Sequence, residues 1–140
     1  MDMADQTEGD YRPHDGEPFM SERQRDYFRR KLAGWKDDIL RESRETLLVL
    51  QNESENHPDI ADRASSETDR AIELRARDRQ RKLISKINAA ILRIDDGSYG
   101  YCEVTGDPIS LKRLDARPIA TLSVEAQERH ERRERVYRDE

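Results

Sequence analysis

From Ser21 onward apolar side chains return every three or four residues: Phe28, Leu32, Trp35 and Ile39, then Leu47 and Leu50 after a polar interval at Ser43 and Thr46. That spacing is the seam of a coiled coil and predicts a helix over residues 21–54, opened by a capping box of Ser21 and Gln24. A second helix is predicted over 62–96, where Ala64, Ala71, Leu74, Ile84, Ile87, Ile91 and Ile94 make the stripe and Asp96-Gly97 stops it. Pro58 has no backbone N–H to give and biases His57 away from helical angles, so the turn falls at 55–58. The arms therefore run antiparallel, with the aliphatic and aromatic side chains at the base and small residues near a tip over 55–62. Charges such as Arg75, Arg77, Arg79 and Lys82 cover the outer face. An arm of about 33 residues spans on the order of 50 Å and holds the acids of the tip far from the base.

Beyond Gly97 the periodicity breaks. Residues 98–108 are short β-prone runs punctuated by Gly100 and Gly106, the pattern of a small hairpin or knuckle. A short helix over Leu111 to Ala116 is ended by Pro118, and a last, arginine-rich helix starts with Ser123 as cap and runs to about Tyr137. The first 20 residues are polar, contain Pro13, Gly16 and Pro18, and are expected to be mostly disordered, with Phe19 and Met20 docking. The fold class is mostly α: a long antiparallel coiled-coil hairpin over 21–96, a small globular base over 97–122 and a C-terminal helix over 123–140.

Composition narrows the function. Of 140 residues 41% are charged and 34% hydrophobic, so the chain builds one small core and spreads thin apolar stripes along its helices. The first 20 residues hold six of the 31 acids and one of the 26 bases, which accounts for the whole net charge of −5. The balanced remainder gives no basic excess for sequence-specific DNA binding. No apolar run is long enough to span a membrane and no basic and apolar leader opens the chain, so a cytoplasmic location is expected. The single cysteine, Cys102, forms no internal disulfide. Without an activating cation beside it, it reads as a small buried hydrophobe.

The run Tyr99-Gly100-Tyr101-Cys102-Glu103, followed by Arg113-Leu114-Asp115-Ala116-Arg117-Pro118, resembles the DksA/TraR family of bacterial transcription factors. The tip, Pro58-Asp59-Ile60-Ala61-Asp62-Arg63-Ala64, matches that family's Asp-x-x-Asp-x-Ala element. Phe28-Arg29-Arg30, Leu32 and Trp35, and the stretch Glu73-Leu74-Arg75-x-Arg77-Asp78-Arg79, extend the agreement to roughly residues 16–135. The resemblance implies a non-enzymatic factor that enters the secondary channel of bacterial RNA polymerase with its coiled coil, and two arms that satisfy each other's seam predict a monomer. It implies regulation of open-complex stability, with inhibition at ribosomal RNA promoters and activation at some biosynthetic ones.

The resemblance also assigns residues. Asp62 faces the polymerase active site, with Ala64 allowing close approach and Asp59 supporting the tip; on local grounds alone Asp59 reads equally as a helix cap. Arg79 contacts the polymerase rim. Leu83, Lys86 and Arg117 help to form a site for guanosine tetraphosphate (ppGpp) shared with polymerase, cationic groups that suit a polyphosphate. Gln127 stands where the family carries a further basic residue, with Arg129 the nearest cation. The family's four zinc-ligand cysteines are represented by Cys102, Thr105, Ser123 and Ala126, so no structural zinc is expected. Apolar contacts among Tyr99, Tyr101, Val104, Ile109, Leu114, Ile119, Leu122 and Val124 are expected to hold the base instead. Two other readings compete: a Gre-type transcript-cleavage factor, whose coiled coil precedes a larger β-rich domain, and an adaptor coiled coil without polymerase activity.

Overall fold

The computed structural model describes residues 10–55 and 60–138, with the side chains of 50, 53–55, 60–65 and 138 outside the described set. Four helices follow in order: α1 (Glu22–Glu55), α2 (Ile60–Asp96), α3 (Leu111–Ala116) and α4 (Val124–Arg138). The expected second helix thus starts two residues earlier than its apolar pattern indicated. The chain divides into two compact units, one made of Ala33–Ala89 and the other of the residues up to Leu32 and from Ala90 on.

The unit Ala33–Ala89 is a pair of antiparallel helical arms. Ile39 and Ile87 are its buried aliphatics, Trp35, Leu83 and Ile84 are half-buried, and the Ser43 hydroxyl donates to Gln80 Oε1 across the pair at 2.6 Å. The arms are polar inside away from Ile87. Ala71 and Leu74, expected in the seam, are exposed, and Glu73, Ala76, Arg77 and Gln80 take the half-buried positions. The helical period explains the correction: at about 100° per residue, counting back from Ile87 brings Gln80 and Ala76 to the inner face and carries Leu74 about 140° away. Leu48, Val49 and Ile72 are exposed as well, so little apolar area binds these arms.

The other unit holds most of the core. Phe28, Leu32, Ala90, Ile94, Tyr99, Ile109 and Leu114 are fully or almost fully buried, joined by Leu111, Cys102 and Ala126. Arg29 pairs with Asp95 at 2.9 Å, so the two long helices are antiparallel here too. α2 ends as Asp96-Gly97 predicts: Gly97 has φ +86°, the Ser98 and Tyr99 amides donate back to the Arg93 carbonyl, and Asp96 Oδ1 accepts from the Ser98 amide and hydroxyl. Both hydrogen bonds to Ser98 hold the Asp96 carboxyl below its ordinary range.

From there to α3 the chain forms a knuckle without strands among the described residues. A single antiparallel bridge, Tyr101 to Pro108, ties it. Ser110 caps α3 by accepting from the Arg113 amide, and Ser123 caps α4 by accepting from the Ala126 amide. The expected contacts of Tyr99, Ile109 and Leu114 form, with Ile119 and Leu122 half-buried, whereas Tyr101, Val104 and Val124 are exposed. Val104 sits in the turn of the knuckle and Val124 opens the solvated face of α4; their places in the core are taken by Leu111, Pro118, Cys102 and Ala126.

The N-terminal segment is a second correction. Residues 1–9 lie outside the described residues, but residues 10–21 pack in order on α1. Tyr11 is buried and its hydroxyl donates to Glu17, and Gln24 is fully buried. The capping box forms in a shifted version: Ser21 Oγ accepts from the Gln24 amide, while Gln24 Oε1 accepts from Met20 rather than from Ser21. The amide nitrogen of the same side chain donates to Glu17 and to the His14 carbonyl. One buried glutamine therefore satisfies three chain segments, a role that its place in a capping box does not announce.

Met20 is left-handed, at φ +54°, an unusual state for a residue with a side chain. It turns Phe19 and Met20 onto Gly100, where a Cβ would lie 3.1 Å from Phe19 Cζ and from Met20 Cε. Gly100 itself is at φ +91°. An alanine there meets both a disfavoured backbone and an occupied space, so Gly100→Ala should destabilise the protein by about 1–3 kcal/mol. Urea unfolding followed by circular dichroism checks this, and an unchanged midpoint would contradict the docking of Phe19 and Met20 on the knuckle.

Candidate functional site

Three sets of candidate residues lie at different places in the chain. Asp59 falls outside the described residues. Asp62 and Ala64 lie in the first turns of α2, their side chains outside the described set. Arg79, Leu83 and Lys86 follow at spacings of four and three along α2 and so share a face, Arg79 and Lys86 exposed and Leu83 half-buried. Arg79 also borders a shallow basic hollow with Arg75, Lys82, Asp78 and Ile72. Elsewhere in the same unit Glu42, Glu45, Asp69 and Glu73 line an acidic groove with Thr46, Val49, Ile72 and Gln80. The arms therefore carry separated patches of both signs, an arrangement suited to a mixed protein surface rather than to uniform phosphate.

Arg117 belongs to the unit that contains the knuckle. It caps α3, donating its amide to the Arg113 carbonyl at 2.7 Å and accepting from the Ala120 amide, and its side chain is exposed. The helix it ends is held by Asp115, which accepts from Tyr27 at 2.5 Å and from Lys31 at 2.6 Å. Partial burial raises the Asp115 pKa, but these two hydrogen bonds and the Lys31 and Arg12 charges outweigh it and hold the carboxyl below its ordinary value. Arg113 Nε donates to the Leu122 carbonyl at 2.9 Å, which fixes the chain between α3 and α4. Gln127 is half-buried and donates to Glu131; Arg129 is exposed.

The four positions aligned with zinc ligands do converge. Cys102 is buried, and its sulfur is surrounded by the Thr105 hydroxyl and the backbone N–H groups of Ser123, Thr105 and Val104. Ala126 is buried beside the cap that Ser123 makes, and the Glu103 amide donates to the Thr121 carbonyl at 2.9 Å, joining the two halves of the base. One thiol, two hydroxyls and a methyl do not make a tetrahedral N/S donor set, so these residues do not fit a structural zinc. Among the described residues no cluster of three or more His, Cys, Asp or Glu is placed to hold a metal ion.

Cys102 is buried, as expected of a small hydrophobe, and the same convergence gives it hydrogen-bond donors besides. Burial raises a thiol pKa, yet the hydrogen bonds from Thr105, Ser123 and Val104 outweigh it and bring Cys102 down to about 6. The residue is buried as expected, and these donors favour its thiolate form. Looking for a neighbouring cation missed this, because the donors are main-chain amides; the signal lay in the knuckle, whose turns aim N–H groups at the ligand position whether or not a metal follows.

Two family profiles match the chain. One, described as the N-terminal domain of the DnaK suppressor protein DksA, covers residues 24–94; the other, described as the prokaryotic dksA/traR C4-type zinc finger, covers residues 97–132. The RNA polymerase-binding transcription factor DksA of Caulobacter vibrioides (strain NA1000 / CB15N) is 72% identical over 94% of this chain and 92% of its own. That of Escherichia coli (strain K12) is 41% identical over 89% and 83%. The solved structure of transcription factor DksA2 from Pseudomonas aeruginosa superposes with a TM-score of 0.78 at 41% identity, over 86% of this chain and 95% of its own.

The acidity of Cys102 sets a pH dependence. A thiol whose pKa falls from 9.0 in its ordinary state to about 6 on folding contributes stability that is fully present above about pH 9. That contribution declines as the pH drops and is gone below about pH 6. Thiolate absorbance at 240 nm should titrate near pH 6, and Cys102→Ala should flatten the fall in unfolding free energy between pH 9 and pH 6. A midpoint above pH 8 would show that burial prevails over the hydrogen bonds.

Proposed function

Because the chain belongs to the DksA family of transcription factors, we propose that it binds bacterial RNA polymerase through the secondary channel and alters the stability of promoter open complexes. The observation that carries this reading is the 72% identity with an RNA polymerase-binding relative across 94% of the chain. The arms fit the task. Their acidic groove and their basic hollow around Arg79 offer charges of both signs, and the hollow suits an acidic rim on the partner.

On this reading Asp62, supported by Asp59 and closely approached over Ala64, meets the active-site elements of polymerase and performs no chemistry of its own. Leu83, Lys86 and Arg117 contribute to a ppGpp site completed by polymerase, and Gln127 supplies an amide where a cation is usual. The factor acts in the cytoplasm, where its partner resides, and no described helix is long and apolar enough to cross a membrane. It works as a monomer because the arms satisfy each other's seam. It carries no zinc, the base being held by hydrogen bonds and packing.

Multi-round transcription from a ribosomal RNA promoter tests the tip. Wild type should inhibit, and Asp62→Asn should lose regulation while binding polymerase with unchanged affinity; equal inhibition by both proteins would refute the tip mechanism. Cleavage of transcripts in backtracked complexes would instead favour a Gre-type factor, and failure to copurify with polymerase an adaptor. Adding ppGpp should deepen inhibition, and Lys86→Ala should weaken that response by roughly tenfold, the worth of one charged hydrogen bond. Metal analysis should find less than stoichiometric zinc in the purified protein, and one zinc per chain would overturn the metal-free base.

A further inference from the structure

Between the N-terminal segment and the first turns of α1 lies a cavity of about 420 Å³, bounded by Tyr11 and Arg12 on one side and by Arg23, Asp26, Tyr27, Arg30 and Lys31 on the other. None of Arg79, Leu83, Lys86 or Arg117 lines it. Its size falls within the range of small-molecule sites. Two tyrosine rings meet in it edge to face, 5.9 Å apart at 79°. The Arg23 guanidinium lies 4.0 Å over the Tyr11 ring, and Lys31 Nζ lies 5.8 Å from the Tyr27 ring centre.

The charges do not balance. Arg12, Arg23, Arg30 and Lys31 line the cavity against Asp26, which already pairs with Arg29 at 2.8 Å, while Glu17 acts on Arg23 from outside the lining. Asp115, outside the lining, takes up Lys31 at 2.6 Å but holds Arg12 only at 4.0 Å, with the arginine side chain 74% exposed. A pair so long and so exposed is weak and easily exchanged for a better anion. Arg12 is nonetheless positioned, since it donates to the Tyr27 hydroxyl at 3.0 Å. Arg23 is held over the Tyr11 ring. Both guanidiniums are thus ordered before any ligand arrives, which removes part of the entropy cost of binding.

We propose that this cavity is a binding site for a nucleoside phosphate. Guanidiniums offer paired N–H donors that match phosphate oxygens, which assigns the phosphates to Arg12 and Arg23. A planar base has a π face that stacks on an aromatic ring, which assigns it to Tyr27. Neither feature alone needs a ring-bearing ligand; a purely cationic patch would take any polyanion, and a purely aromatic one any apolar group. Their combination in one cavity selects a ligand carrying both.

The site is tested in the isolated full-length protein, without polymerase, by titrating ATP, adenosine and tripolyphosphate while following backbone amide resonances. ATP should shift residues 10–31 saturably, with adenosine and tripolyphosphate each binding more weakly. Arg23→Gln and Arg12→Gln should each weaken ATP by roughly tenfold, whereas Lys86→Gln should leave it unchanged. Because Arg12 lies on an exposed segment, its exchange keeps the test valid if Arg23→Gln disturbs the fold. The proposal is overturned by tripolyphosphate binding as tightly as ATP, by equal losses in Lys86→Gln, or by no saturable shift at millimolar ATP.

Discussion

The burial of Tyr99 is the constraint on which the base depends. Its ring is almost wholly enclosed and lies 5.5 Å from the ring of Phe28 in α1, at an angle of 49°. Its hydroxyl donates to the Pro118 carbonyl at 2.8 Å, just beyond α3. Burial pushes the Tyr99 phenol well above its ordinary pKa, so it stays protonated and keeps donating through the whole range in which the protein folds. One side chain therefore joins the helix before the arm, the cap that closes α2 and the segment leading to α4. Removing the ring would forfeit a large apolar burial and leave a carbonyl without its donor.

With Tyr99 in place, hydrogen bonds and packing bring the two halves of the base together. A four-thiolate zinc site gains its stability by binding an ion that the unfolded chain cannot hold. Here the joining elements are the Glu103 amide on Thr121, Arg113 on Leu122, and the amide of Ser123 on the Cys102 sulfur. The knuckle turns direct the N–H groups of Val104, Thr105 and Ser123 toward Cys102, an arrangement that favours the thiolate and lowers its pKa with no cationic side chain hydrogen-bonded to it.

Most of the helical architecture was legible because periodicity and punctuation act locally. Asp96-Gly97, Ser110, Ser123 and Pro118 do what their residue types demand, whatever surrounds them. What escaped was tertiary. Ala71 and Leu74 read as seam residues because each is apolar, but helix phase set by Ile87 turns them outward. Tyr11 and Gln24 looked like parts of a tail and a cap; only the folded N-terminal segment reveals that they meet through Glu17. Asp115 lies 88 residues from Tyr27, and no spacing rule couples residues at that distance.

The same distinction separates the surfaces. A helix with alternating signs, as in α4 where Glu128, Glu131 and Glu134 alternate with Arg129, Arg132, Arg133 and Arg135, neutralises itself and offers a partner little net field. In the unit Ala33–Ala89 the signs are more nearly sorted, the acids Glu42, Glu45, Asp69 and Glu73 around one groove and the cations Arg75, Arg79 and Lys82, with Asp78 among them, around another hollow. Sorting costs stability, since like charges gather, and the thin apolar seam offers little to offset it. A surface kept at that cost is one shaped for recognition rather than for folding. The cationic cavity at Tyr11 and Tyr27 has the same character, being an imbalance held in place by a neighbouring carboxylate that already serves Tyr27 and Lys31.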